Sequence, residues 1–314
     1  MECMTQEFAR IETYFAPLAG EAGLGLKDDA AVFAPPPGRE LVLTTDQMLE
    51  GVHFLSNDDP AVVARKLLRR NLSDLAAMGA DPLGYLLTTA LPADLPEDWL
   101  ARFAKGLETD QLTFNIKLFG GDSSSSKHGI ALTATVLGSV APGMALRRNG
   151  AKPGDSIWVT GTIGDAALGL EARRGHLAGS HHYLVKRSIL PTPRLGLDLA
   201  GIATAAIDVS DGLVQDLGHM ARESGLCAVI RADMVPASPE AAALGEAFLE
   251  TRLTGGDDYE LILAVPPGKG EALKEACGDL TVTRIGMFQP GEGVHVLSST
   301  ETVLEFSSGG WSHF

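Results

Sequence analysis

Apolar runs of strand length alternate with amphipathic stretches of helix length along almost the whole chain. That alternation restricts the fold more than any other feature. ELVLTTD (40–46), GYLLTTAL (84–91), NIKLFGGD (115–122) and IALTATVLGSV (130–140) read as strands. Helical patterns lie around them. One covers 5–15, with Phe8, Ile11 and Phe15 on a single stripe. A second is opened by Asp59 as N-cap and Pro60 in the first turn, and Gly79 ends it. A third is opened by Pro96 and runs to about residue 110. The stretch 141–155, APGMALRRNGAKPGD, is rich in Pro, Gly and charge and marks a boundary. Beyond it SIWVTG (156–161), CAVIRA (227–232), YELILAVP (259–266) and segments within 281–297 read as strands. Helices are expected over DAALGLEAR (165–173), LVKRSIL (184–190), PRLGLDLA (193–200), DGLVQDLGHMARESG (211–225) and SPEAAALGEAFLE (238–250). Both halves are therefore mixed α/β, and the expected domains are 1–140 and 141–314.

With 314 residues, 45% hydrophobic and 21% charged, the chain can fill two ordinary cores. Its net charge of -15 argues against nucleic acid and anionic membrane as partners, although divalent cations can bridge an acidic protein to a polyphosphate. The one short basic run, RKLLRR (65–70), reads as a solvated helix face. Cys3, Cys227 and Cys277 are scattered, with no C-x-x-C, so neither a disulfide framework nor a zinc site is expected, and a reducing cytoplasm is. The first residues lack a signal-peptide pattern, and no apolar run approaches the roughly 18 residues that span a bilayer.

The chemistry is carried by acids. Apolar strands repeatedly end in Asp beside Gly, Ser or Thr: Asp46 in LTTDQ, Asp122 in FGGDS, and Asp208 and Asp211 in AIDVSDG. Asp28 and Asp29 add a pair in LKDDAA, and Asp257 and Asp258 another in TGGDDYEL. Each alone has an ordinary explanation. Asp46 suits a turn, Asp211 an N-cap, and Asp74 an ion pair with Arg70 one helical turn away. Together they would repel one another without a cation. Mg²⁺ takes hard oxygen ligands, and neighbouring hydroxyls and glycine N–H groups suit phosphate oxygens. Phosphoryl transfer needs little beyond positioning and charge compensation. Neither a P-loop, nor a Rossmann fingerprint, nor G-x-S-x-G, nor H-E-x-x-H occurs. TGTIGDAALGL (160–170) is a glycine-rich turn into a helix, explained equally by a bound anion and by tight helix–strand packing.

DDAAV, TTDQMLEGVHF, NLSDLAAMGA, FGGDS, TGTIGDAALGL, IDVSDGL, GGDDYEL and GGWSHF occur in this order. On these motifs the chain, from about residue 5 onward, resembles the thiamine-monophosphate kinase family, within the wider aminoimidazole-ribonucleotide synthetase-like superfamily. The resemblance implies a two-domain fold with mixed sheets flanked by helices, an N-terminal domain that binds ATP and Mg²⁺ and dimerises, and a C-terminal domain that completes the phosphate and substrate site. It implies a cytoplasmic homodimer that moves the ATP γ-phosphoryl group directly onto thiamine monophosphate, with several Mg²⁺ ions, as the last step of thiamine diphosphate synthesis. Asp29, Thr44, Thr45, Asp46, Asp74, Asp122, Asp208 and Asp211 match its metal ligands. Asp29, Asp122 and Asp211 are the catalytic candidates among them. Thr44, Thr45, Gly121, Asp122, Arg148 and Ser210 match nucleotide contacts, and His53, Asp257 and Trp311 the thiamine-phosphate side.

Trp311 could stack on a cationic thiazolium, worth roughly 0.5–2 kcal/mol, or simply dock on the core. Three positions depart from the family pattern: Lys27 stands for Gly, Asp257 for Glu, and Ser123 for Thr. A synthetase of the same superfamily and a non-enzymatic carrier are the competing readings. The first would act on an amide or on selenide, and a selenide-type enzyme would want a reactive Cys in a glycine loop, a context that Cys3 lacks.

Overall fold

The computed structural model describes residues 6–312. Cys3, the start of the expected helix at residue 5 and the last two residues of GGWSHF lie outside them. The chain divides into two compact units. One runs up to Leu75 and resumes over Ala80–Gly143; the other takes Ala76–Gly79 and everything from Met144.

The first unit begins with a short helix, α1 (Gln6–Arg10), a wider π-type turn over Ile11–Phe15 and a 3-10 segment over Glu21–Leu26. The expected helix is present over the described residues but widens to a π-type pattern after Arg10, with Phe15 buried and Phe8 exposed. Four strands follow, β1 (Glu40–Leu49), β2 (Asp81–Pro92), β3 (Lys117–Ser126) and β4 (Ala131–Val140), in the order β1-β4-β2-β3. Only the β2–β3 pair is parallel. Helix α2 (Pro60–Ala77) starts where expected, with Asp59 Oδ1 accepting from the Ala61 N–H at 2.9 Å, and α3 (Glu97–Phe114) starts after Pro96.

Both helices cover one face of this sheet. Leu75 of α2 lies against Gly138 of β4, and Gln111 of α3 donates to the Tyr85 hydroxyl of β2 at 3.0 Å. The opposite face is open: Leu41, Leu43 (61% exposed) and Leu86 point outward from it.

The run RKLLRR corrects the expectation of a solvated face. Lys66 and Arg69 are buried. Arg69 Nε meets Asp110 Oδ2 at 2.6 Å, and Arg65 Nε meets Oδ1 of the same fully buried carboxylate at 2.9 Å. Lys66 donates to the His53 carbonyl at 3.0 Å. The basic run turns inward because α3 supplies an acid on its buried stripe.

The second unit is a six-stranded sheet built from β5 (Ser156–Thr160), β6 (Ala205–Asp208), β7 (Cys227–Arg231), β8 (Leu261–Val265), β9 (Val282–Gln289) and β10 (Gly293–Leu297), ordered β10-β7-β9-β5-β8-β6. Its helices are α4 (Asp165–Arg173), α5 (His182–Ile189), α6 (Leu213–Ser224), α7 (Pro239–Ala243), α8 (Leu249–Thr254) and α9 (Gly270–Cys277). Side chains alternate across a strand, and β8 is buried on both sides. Ile262 and Ala264 pack with Leu213, Leu217 and Met220 of α6, while Leu261, Leu263 and Val265 pack with Leu273 and Cys277 of α9.

Two helix expectations fail here. Residues 193–200 form turns. Pro191 and Pro193 restrict the residues before them, Gly196 has φ 77, and Arg194 is committed to Glu260, with Nε 2.6 Å from Oε2. The pattern 238–250 is split between α7 and α8 at Gly245, where φ is 76. Helix α9 escaped the sequence reading. Cys227 and Cys277 are free and buried. No described helix is long and apolar enough to cross a membrane.

Candidate active site

In the first unit, the acids sit on the sheet's two edge strands, within the strands rather than at their ends. β1 continues three residues past Asp46, and β3 four past Asp122. Asp122 lies in register with Thr88. A cleft of about 630 Å³ over β2 and β3 is closed by the segment from Ile11 to Ala31. Asp28, Asp29, Asp122, Thr88, Ser123 and Thr135 supply its polar lining, and Phe15, Leu26 and Phe119 its apolar end. The structure thus brings Asp29 and Asp122 together from segments some ninety residues apart. Neither they nor Asp28 form an ion pair with a basic residue among the described residues. Three carboxylates around one open polar cleft, with hydroxyls beside them, are a donor set suited to hard divalent cations.

Gly121 lines the same cleft. A Cβ there would come within 1.8 Å of the Leu87 carbonyl oxygen, so only glycine lets β3 lie this close to β2.

Thr44, Asp46 and Asp74 lie on the helix-covered side. The Thr44 hydroxyl donates to Asp74 Oδ2 at 2.5 Å, and Arg70 Nε approaches Asp46 Oδ2 at 3.4 Å. Arg70 therefore reaches across to Asp46 on β1. Thr45 is on the other side, accepting from Thr135 Oγ1 at 3.1 Å. His53 closes the turn after β1. Its Nδ1 accepts from the Leu49 N–H at 3.0 Å, which puts the ring proton of the neutral imidazole on Nε2.

In the second unit, DVSDG and GGDDYE are laced together by backbone bonds. The Asp257 N–H donates to the Ser210 carbonyl at 2.9 Å and the Tyr259 N–H to Val209 at 2.8 Å. Asp208 ends β6, buried. Asp211 does not cap α6: Gly212 holds the N-cap position, with no side-chain bond. The orphan amides are met by Asp216 instead, whose Oδ2 accepts from the N–H groups of Ser210, Asp211 and Gly212 at 3.0, 2.9 and 3.1 Å. Burial pushes the Asp216 carboxyl up to about 7 against these three bonds. Asp211, Asp216 and His219 offer ligand atoms all within 4.8 Å of one another. Burial, then Arg222 and Arg148, lower the His219 pKa. Arg148 itself is exposed, its carbonyl accepting from Ser224 Oγ at 3.0 Å.

Asp257 adopts φ 73, and its Oδ1 accepts from the Tyr259 hydroxyl at 3.1 Å. Trp311 docks through its backbone, N–H to the Asp211 carbonyl at 2.9 Å, while its side chain stays 51% exposed. The backbone bond ties Trp311 to the Asp211 loop, and its exposure leaves the residue accessible to a ligand.

The glycine-rich turn before α4 does receive a carboxyl group, and it is the protein's own. Asp258 accepts from the Gly164 and Ala166 N–H groups at 2.5 and 3.0 Å. Glu260 is equally internal, held by Arg187 at 3.0 Å and by the Thr160 hydroxyl at 2.6 Å. Asp216, Gln215 and Tyr259 escaped the sequence reading. The available signal was an acid at 216 on the apolar stripe 213, 217, 220.

Known proteins match this architecture. The AIR synthase related protein N-terminal domain family matches residues 27–140, and its C-terminal domain family 152–298. Thiamine-monophosphate kinase of Caulobacter vibrioides is 41% identical over 319 residues, covering 98% of this chain and 90% of that one. The crystal structure of thiamine-monophosphate kinase from Stenotrophomonas maltophilia K279a is 40% identical, covers 92% of this chain and 93% of that one, and superposes with a TM-score of 0.80. AaThiL complexed with AMPPCP and TMP is 31% identical over 100% of both chains, with a TM-score of 0.78. With the fold, the motifs and identity near two-fifths over nearly its whole length in agreement, the chain belongs to the thiamine-monophosphate kinase family.

Proposed function

We propose that this chain transfers the γ-phosphoryl group of ATP to the phosphate of thiamine monophosphate, giving thiamine diphosphate and ADP, the last step of thiamine diphosphate synthesis. The observation that carries the reading is the cleft in which Asp28, Asp29 and Asp122 meet without a basic partner, in a chain that matches thiamine-monophosphate kinases from end to end. A relative that binds AMPPCP and TMP together supports the two substrates.

Asp29, Asp122, Asp46, Asp74, Asp208 and Asp211, with Thr44 and Thr45, are the residues that would hold Mg²⁺. When bound, Mg²⁺ offsets the charge on the phosphates and on the phosphoryl group in transfer. The chain's own part is positioning. Gly121 and Ser123 bring backbone and hydroxyl to the nucleotide phosphates beside Asp122, and Ser210 and Arg148 are the second unit's own candidate nucleotide contacts. His53 presents Nε2–H as a donor to an anionic oxygen, because Nδ1 is already occupied by the Leu49 amide. Asp257, oriented by Tyr259, accepts from the aminopyrimidine, and the exposed Trp311 indole offers a face to the cationic thiazolium. Acceptor and donor are both phosphates, so direct in-line transfer requires no protein nucleophile.

The same reading makes the protein a homodimer, paired through the open sheet face that bears Leu41, Leu43 and Leu86. It places the protein in the cytoplasm, which the two free buried thiols suit.

The test is a product assay with ATP, Mg²⁺ and thiamine monophosphate, with EDTA and free-thiamine controls. Metal-dependent thiamine diphosphate from the monophosphate alone is the expected result. Nucleotide binding without that product would refute the substrate assignment.

A further inference from the structure

Gln215 lies in the first turn of α6, and its side-chain amide faces two groups at once. Nε2 is 3.2 Å from Asp211 Oδ2 and 2.7 Å from the Trp311 carbonyl oxygen. One –NH₂ group has two hydrogens, so a single side chain can tie the acid to the aromatic segment. The tie is closed on the backbone side, where the Trp311 N–H donates to the Asp211 carbonyl at 2.9 Å. Gly310 fits under it: a Cβ at 310 would come within 2.6 Å of Gln215 Cβ and 2.7 Å of the Asp211 carbonyl oxygen. The segment is pinned again upstream, where the Ser307 N–H donates to Glu250 Oε1 of α8 at 2.7 Å.

We infer that Gln215 is a positioning residue for thiamine-phosphate binding: its amide clasps the 307–312 segment to the Asp211 loop and so fixes the Trp311 indole relative to the Asp211 carboxylate. The inference rests on the substrate reading above. Trp311 is half exposed, and the bonds to its N–H and carbonyl fix the backbone from which the indole projects. Losing the clasp lets Trp311 sample other positions. That weakens the ground-state hold on thiamine monophosphate, while ATP is unaffected by the Trp311 ring.

Two variants perturb the clasp from opposite sides. Gln215→Ala removes the amide at a helical position that favours alanine. Gly310→Ala wedges the segment away. The first measurement is hydrogen exchange of the peptide containing Trp311, on the protein without substrates. Each variant is expected to raise the Trp311 amide exchange rate about five- to tenfold, the loss of one or two hydrogen bonds. The second is steady-state kinetics, where KM for thiamine monophosphate is expected to rise about five- to tenfold and KM for ATP to rise by a clearly smaller factor, since Gln215 also touches Asp211. A merely destabilised fold would lower the active fraction, and with it the apparent kcat, without moving one KM alone. Unchanged exchange in both variants overturns the clasp whether or not the protein uses thiamine monophosphate. Raised exchange with an unchanged KM for thiamine monophosphate overturns its role in binding. Wild-type protein that makes no thiamine diphosphate at all refutes the substrate reading, and with it the assigned role.

Discussion

Replacing Asp110 by alanine tests the inward turn of the basic run. The carboxylate is fully buried, with Arg69 Nε at 2.6 Å and Arg65 Nε at 2.9 Å. The Arg69 side chain is 9% exposed and that of Arg65 26%. Removing one partner of a buried pair costs about 3–5 kcal/mol, because the other charge stays desolvated. That figure applies to Arg69, whereas Arg65 can turn to water and adds at most about 1 kcal/mol. Asp110→Ala should therefore lose about 3–5 kcal/mol. With a urea slope of about 2 kcal/mol/M, the midpoint falls by about 2 M. Urea unfolding followed by the fluorescence of Trp99, in a background with Trp158→Phe and Trp311→Phe, reads it, since Trp99 stacks on Phe103 in the same helix as Asp110. Asp110→Leu combined with Arg69→Met should recover most of the loss, because an apolar pair needs no desolvated charge. A loss below about 1 kcal/mol in Asp110→Ala would mean that the run is solvated after all.

The remaining expectations concern the site. Asp122→Asn and Asp211→Asn keep side-chain size but lose the charge that attracts a cation, so each should lower thiamine diphosphate formation at least about a hundredfold with an unchanged circular dichroism spectrum; near-normal turnover in both would remove the metal assignment. Burial pushes Asp258 from 3.8 up to about 7, so the folded state holds a proton that the unfolded chain releases. The stability tied to that proton is full below 3.8 and is lost as pH rises to about 7. Denaturation midpoints compared at pH 5 and pH 7.5 should fall less in Asp258→Asn than in the parent, and an equal fall would show that Asp258 is ionised throughout.

Strand and helix positions were legible because burial writes a period into the sequence, two in β4 and about 3.6 in α6. Charge neutralisation writes none. A reading along the chain weighs each charge against neighbours one helical turn away, and here the partners are distant: Asp110 for Arg65 and Arg69, Glu260 for Arg187 and Arg194, Asp258 for the amides before α4. The basic run was therefore read as solvated, and Asp258 stood among the candidate acids although the protein already uses it. Breaks such as Gly245 and Pro193 were visible as residues, but their weight against a good helical pattern is settled by tertiary contacts, as for Arg194. An acid is a ligand candidate only after the chain's own donors have been subtracted. By that measure Asp110, Asp258 and Glu260 drop out, and Asp216 is largely taken up by three amides. Asp28, Asp29 and Asp122 line one cleft with no basic partner among the described residues, and the metal proposal rests on this remainder rather than on the number of acids in the motifs.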